Sequence, residues 1–179
     1  MIYILDLYKY SDTEKKKILK SIVILTDSRE QKNQHITNWF DKKKIPHEVK
    51  ALSNGDYSFY VPANEQLNID RPLYFDKQIM IERKNSLDEL SSCLTASRTR
   101  FEEEMATYTA KKYLLIENAN YEDIVNQKYN TKLSTKAFLA SVHAFNHRYN
   151  LEIMFMPHKE YSPIWIYGTF VYFLRNVMR

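Results

Sequence analysis

Glycine is nearly absent from this chain: its 179 residues hold only Gly55 and Gly168. GxGxxG loops and P-loops need several glycines together so that backbone can approach phosphate, so Rossmann dehydrogenases and nucleotide-driven motors are excluded. Cysteine is rarer still. Cys93 stands alone, which excludes an intramolecular disulfide and a cysteine-built zinc site, and a reducing, cytoplasmic location is expected. Residues 1–20 alternate apolar and charged side chains and lack the apolar core of a signal peptide. The longest apolar stretch, Pro163 to Leu174, carries no charge but is too short to span a bilayer, so it reads as a buried helix and no membrane partner is expected. No sign of charge dominates: 26 Lys and Arg face 22 Asp and Glu, a formal +4. That mild excess suits a polyanionic partner held in a salt-dependent way.

What is present is a core-forming composition, 44% hydrophobic and 14% aromatic, enough for one domain. Ser11 reads as the N-cap of a charged helix, after an extended piece over the first ten residues. This part, 1–20, is expected to be an extension, and 21–179 a single domain. Ile22-Val23-Ile24-Leu25 is a β-branched run typical of a strand buried on both faces. Ile36, Trp39 and Phe40 follow at helical spacing, and that helix stops before Pro46. A strand from His47 to Leu52, a Ser53-Asn54-Gly55 turn and a strand from Asp56 to Val61 come next. Residues 62–77 read as a polar, proline-punctuated surface loop. Gln78 to Lys84 is a fourth strand. Helices are expected after the Ser86 cap and over 98–109, and Tyr113 to Glu117 is a fifth strand. Ser134 caps an amphipathic helix with Phe138, Val142, Phe145 and Tyr149 inward. Leu151 to Met156 is a sixth strand, and a last helix presents Ile164, Tyr167, Val171, Leu174 and Met178. Strands separated by helices imply an α/β fold with a central mixed β-sheet flanked by helices.

The chemistry concentrates at strand ends. Glu82 and Lys84 are two apart on a strand and leave the same face, while Arg83 leaves the other. Asp56 opens the preceding strand just after a turn. If these strands pair, two carboxylates and a lysine converge, as needed to hold a hard divalent cation beside a phosphodiester. A metal there would activate water, and Lys84 would orient that water or stabilise the transition state. Read singly, Asp56 is first a turn residue and Glu82–Lys84 an edge-strand ion pair.

Further matches occur in order: Asp27-Ser28-Arg29-Glu30 after the first strand, Gly55-Asp56-Tyr57, Glu82-Arg83-Lys84 with Asp88 four residues on, Arg100-Phe101, and Leu114-Leu115-Ile116-Glu117. This succession, GD followed by ERKxxxD, closely resembles the nuclease domain of the XPF family of structure-specific endonucleases, including its archaeal Hef branch. The resemblance covers roughly Ile22 to Glu117. It implies a restriction-endonuclease-like fold of the PD-(D/E)xK superfamily and cleavage of DNA dependent on Mg²⁺ or Mn²⁺, with flaps, splayed arms and forks as substrates. On it, Asp56 and Glu82 become metal ligands, Asp27 a third carboxylate at the metal edge, and Lys84 the catalytic lysine. Arg29, Glu30 and Arg83 would support the site or touch phosphate, Asp88 would brace the following helix, and Arg100 would contact the DNA backbone. The gap at 62–77 implies an extra loop over the site. The family's glycine-bearing helix-hairpin-helix module is missing, which points to a stand-alone domain of phage or prophage type.

Lys42-Lys43-Lys44, Arg98, Arg100 and Lys111-Lys112 are candidates for a phosphate track. His143 and His147 have zinc-pair spacing, yet no glutamate follows the first and no third ligand is evident, so they read as surface or DNA-facing residues. Cys93 reads as a helix-packing residue. The aromatic C-terminal helix reads first as core and second as a homodimer contact. The expected activity is thus a metal-dependent endonuclease acting on branched DNA. A non-catalytic junction-binding scaffold and a sequence-specific restriction-type enzyme are the alternatives.

Overall fold

In the computed structural model, which describes Leu5 and residues 8 to 178, the chain divides into two compact units. The first comprises Met1–Leu52, Tyr57–Asp76 and Pro163–Arg179, and the second Ser53–Asp56 and Lys77–Ser162. The extended piece expected over the first ten residues lies largely outside the described residues.

The first unit begins with α1 (Asp12–Lys20). Ser11 and Glu14 cap it reciprocally, each side chain taking up the other's backbone N–H, and Asp12 at its start and Lys20 at its end complement the helix dipole. Next comes β1 (Val23–Asp27), buried beyond Val23 as its apolar run requires. Helix α2 (Gln34–Lys43) buries Ile36 and Phe40 and stops at Lys44, whose left-handed backbone turns the chain into β2 (His47–Lys50). Strand β2 pairs parallel to β1, Ile24 opposite His47, completing a β-α-β unit. Strand β3 (Tyr57–Val61) pairs antiparallel to β1, so this sheet is mixed.

Residues 62–77 depart from the expected surface loop. Asn64 and Ile69 form a bridge, and Leu73–Tyr74 make a short strand, β4, against β3. The sequence places Leu67, Ile69 and Phe75 among the polar residues, and their burial pins the segment down. Phe75 stacks on Phe59, centroids 4.6 Å apart, and Phe59 also meets Phe170 at 5.2 Å.

The second unit is a parallel trio. Strands β5 (Ile79–Lys84), β6 (Lys111–Glu117) and β7 (Leu151–Met156) lie in the order 5-6-7. Right-handed crossovers are the norm between parallel strands and need helices. Here α3 (Leu87–Leu94) and α4 (Arg98–Thr107) supply the first crossover, α5 (Tyr121–Val125) and α6 (Thr135–Tyr149) the second. Ser86 caps α3, Ser134 caps α6, and Asn120 caps the short α5, which the sequence pattern did not reveal. Met80, Leu90, Phe101, Leu114, Phe138 and Phe145 belong to one buried cluster. The expected mixed α/β architecture is the one observed.

Of the stripe expected for the last helix, α7 (Ser162–Val177), only Leu174 and Met178 are buried. Ile166, Phe170, Leu174 and Val177 are buried, at steps of four, four and three, whereas Ile164 is 48% exposed and Tyr172 63% exposed. The run is apolar on nearly all sides, so periodicity alone could not select its inner face. No helix among the described residues is long and apolar enough to cross a membrane.

Phe170→Ala is expected to destabilise the chain by about 3–5 kcal/mol in urea unfolding. Ile164→Ala should stay within about 0.5 kcal/mol of the parent. The reverse ranking would assign α7 the other face.

Candidate active site

The alternation of β5 decides where its three charges go. Glu82 and Lys84 leave one face and Arg83 the other, and all three are buried, at 5%, 8% and 4% exposure. Buried charges must be paired. Lys84 Nζ donates to Glu82 Oε1. Asp56 joins them from the turn before β3. Its own N–H donates to Ile81 O at 2.9 Å, and its Oδ2 accepts the Arg83 N–H at 2.7 Å. These two bonds hold the Asp56 backbone and carboxylate against β5.

Gly55 makes that approach feasible. Its φ is +71°, and a Cβ there would lie 2.9 Å from Met80 Sδ and 3.3 Å from Ile81 O. Both the left-handed backbone and the absent side chain are needed. Gly168, by contrast, has open space around it.

Burial works against a charge on Lys84, but Glu82 and then Asp56 more than offset it, and the ammonium is held well above its ordinary value. The Phe101 ring closes another side, its centroid 5.6 Å from Lys84 Nζ, and stacks in turn on Phe145 at 5.2 Å. On the opposite face of β5, Arg83 donates to Glu117 Oε2 at 2.6 Å, a fully buried ion pair at the end of β6.

In the first unit, Asp27 ends β1 at 1% exposure. Its Oδ1 accepts the Arg29 backbone N–H at 2.8 Å and Arg29 Nε at 2.7 Å. Its Oδ2 accepts the Leu52 N–H at 2.8 Å, so the carboxylate ties the end of β1 to the segment after β2. Burial raises the Asp27 carboxyl, but the bonds from Arg29 and Leu52 prevail and hold it below the usual range. Its stabilisation is therefore present above about pH 4, the ordinary aspartate value, and fades as pH falls through the lowered one. Glu30 closes the turn through its N–H to Asp27 O at 3.0 Å.

Residues 26–169 match the family model of the ERCC4 domain. The chain belongs to this family. It is a family of nucleases, and the matched stretch contains all the site residues singled out in the sequence. No curated protein matches the chain. Among solved structures it is similar to XPF from Aeropyrum pernix in complex with DNA, with a TM-score of 0.62 at 15% identity over 86% of this chain. A second structure of XPF from Aeropyrum pernix gives 0.61 at 15% identity over 87% of this chain. The chain covers 66% of the length of either one. At that identity the likeness is one of fold.

Within this ERCC4 domain the remaining candidates have separate surroundings. Asp88, in the first turn of α3, accepts the Asn130 N–H at 2.7 Å and so braces the segment before α6. Arg98 pairs with Glu102 at 3.0 Å and reaches Ser141, while Arg148 meets Glu102 at 3.5 Å, linking α4 to α6. Arg100 stands exposed in the first turn of α4, a turn without acidic residues. The expected phosphate track loses two members. Lys111 pairs with Glu152 across β6 and β7, and Lys112 is buried, donating to Met105 O and Tyr108 O at the end of α4. Cys93 is half-buried against the core, as expected of a packing residue. His143 is exposed and bonds the Tyr121 hydroxyl at 3.0 Å, with no metal-ligand group around it among the described residues.

Two residues of the ordered succession, Glu117 and Phe101, received no role from the sequence. Glu117 was readable only as a strand end, yet a buried Arg83 on the face opposite Glu82 demands an acidic partner on the neighbouring strand. Phe101 entered only as part of the Arg100-Phe101 match, since nothing in the sequence aims its ring at Lys84.

Gly55→Ala is expected to cost more than about 1 kcal/mol of stability and to displace Asp56 from β5; thermal unfolding and the Arg83 amide NMR shift would report both. An unshifted amide would mean that the turn tolerates a side chain. Arg83→Met should destabilise the fold by about 3–5 kcal/mol by stranding Glu117, and adding Glu117→Met should restore most of that loss. Additive losses in the double variant would contradict the pairing.

Proposed function

We propose that this ERCC4 domain is a metal-dependent DNA endonuclease that hydrolyses phosphodiester bonds at branched or flap-like structures. The observation that carries the reading is the convergence of the Asp56 and Glu82 carboxylates with the Lys84 ammonium along β5. The donor set fits Mg²⁺ or Mn²⁺: it is built of hard carboxylate oxygens, with no imidazole among them. Among the described residues no group of three His, Cys, Asp or Glu side chains could hold a metal. Asp56 and Glu82 would hold the Mg²⁺ or Mn²⁺ ion, and when bound it would neutralise phosphate charge and lower the pKa of a bound water.

The chain's own residues do the rest. The two backbone bonds at Asp56 fix its carboxylate before any ligand arrives, which lowers the reorganisation needed on binding. Lys84 remains an ammonium through neutral pH, so its role is to stabilise charge developing on the phosphate rather than to take a proton. Phe101 and Glu82 confine that ammonium. Asp27 enters as the carboxylate that orders Arg29 and the end of β1. Arg100, exposed at the positive end of α4, is suited to a DNA phosphate.

The test offers labelled single-stranded, duplex, flap, splayed-arm and four-way DNA with Mg²⁺, Mn²⁺ or a chelator. Cleavage of branched substrates is expected with metal and none with chelator. Asp56→Asn, Glu82→Gln and Lys84→Met should each slow it by at least about 100-fold, the scale of losing one transition-state contact. Binding of junctions without any nicking would replace this reading with a scaffold. Discrete cuts in unbranched plasmid would replace it with a restriction-type enzyme.

A further inference from the structure

The basic excess of the chain is unevenly divided. The unit containing Asp56, Glu82 and Lys84 has twelve Lys and Arg against twelve Asp and Glu, whereas the other has fourteen against ten. The whole formal +4 therefore belongs to the unit without the Glu-x-Lys pair. Inside that unit the lysines are not isolated: Lys42, Lys43 and Lys44 are consecutive and exposed at the end of α2.

We propose that the outer face of α2 docks the DNA phosphate backbone, a surface that shares no residue with the set proposed to cut it. The inference rests on the reading of this chain as a DNA nuclease. Ile36 and Phe40 occupy the buried face of α2. Steps of four place two other ridges beside each other: Gln34, Asn38 and Lys42 on one, His35, Trp39 and Lys43 on the next. Neither ridge contains an acidic residue. The one acid of the helix, Asp41, is engaged by His47 Nε2 at 3.0 Å. Gln34 Nε2 donates to Asn38 Oδ1, which orders the amide ridge leading to Lys42. Trp39 is half-buried, its indole edge-on to Phe40 at 5.9 Å, so part of a large aromatic side chain stands among donors and cations.

The plainest alternative is that lysines near a helix C-terminus serve the helix dipole. That accounts for Lys42 and Lys43 but not for Lys44, which lies past the last turn in the left-handed region. Nor does it account for Trp39 in a polar ridge. In the other unit several basic residues are engaged with carboxylates: Arg83 with Glu117, Arg98 with Glu102, Lys111 with Glu152 and Lys128 with Asp123. A clustered, acid-free basic helix face with an aromatic inside it matches a polyanion whose backbone repeats along a groove.

Binding is to be measured by fluorescence anisotropy of labelled flap DNA in chelator, which prevents cleavage, across a salt series. Each phosphate contact contributes about 0.9 to the slope of log K against log salt. Replacing Lys42, Lys43 and Lys44 together by Gln should reduce that slope by about 1 to 3. Replacing Lys128, Lys132 and Lys136 by Gln removes the same charge from the other unit and should change the slope by less than about 0.5. Trp165→Phe leaves Trp39 as the sole tryptophan, and DNA should quench it in a salt-dependent way. An unchanged slope in the first triple variant, equal losses in both, or a Trp39 signal indifferent to bound DNA would overturn the surface while leaving the nuclease reading intact. Failure of the parent protein to bind any DNA would overturn the nuclease reading and this surface together.

Discussion

Three consecutive charged residues on one buried strand constrain their whole surroundings. Removing a charge from water costs several kcal/mol unless a partner and further hydrogen bonds compensate. Because side chains alternate, Glu82, Arg83 and Lys84 pose that problem on both faces of β5 at once. On one face Glu82 and Lys84 answer each other, with Asp56 close by. On the other, Arg83 depends on Glu117. The register of β5 against β6 follows: Arg83 lies opposite Leu115, which puts Glu117 two residues further along the same face. The turn at Gly55 follows as well, since Asp56 reaches β5 only where backbone can pass close to Met80 and Ile81.

Helix α4 gives this arrangement its stiffness. Its first turn is linked to α6 through Arg98, Glu102 and Arg148, and its last carbonyls are capped from β6 by Lys112. Phe101 lies between those anchorages with Phe145 behind it. A lysine side chain has several rotatable bonds, and a fixed aromatic wall removes much of that freedom before any substrate arrives. The basic side chains of Arg98 and Lys112, legible in the sequence only as candidate phosphate contacts, thus support the element that walls in Lys84.

Most strands and long helices were legible because they carry one dominant signal. The β-branched run of β1, the caps at Ser11, Ser86 and Ser134, and the four-three-four stripe of α6 each have a single sensible reading. The Gly55-Asp56 and Glu82-Arg83-Lys84 groups were legible for the same reason, since alternation and one turn bring them together. What stayed hidden depended on distant partners. Leu67, Ile69 and Phe75 look like stray apolar residues in a polar segment until Phe59 is there to receive Phe75. The inner face of α7 could not be chosen from a helix apolar nearly all round. Lys112 and Glu117 resemble ordinary strand-end charges, and only the packed neighbours identify one as a helix cap and the other as a buried counter-ion.

The left-handed backbone positions show how the chain manages with two glycines. Besides Gly55, positive φ occurs among the described residues at Lys44, Asn68, Asn118, Gln127 and Asn150. Asparagine, the side chain that best tolerates this region, fills three of the five. Each such residue carries a local strain on the order of 1 kcal/mol that glycine would not. The domain therefore holds an untapped reserve of thermal tolerance in its helix ends and loops. That reserve could be released one turn at a time without altering a side chain on β5.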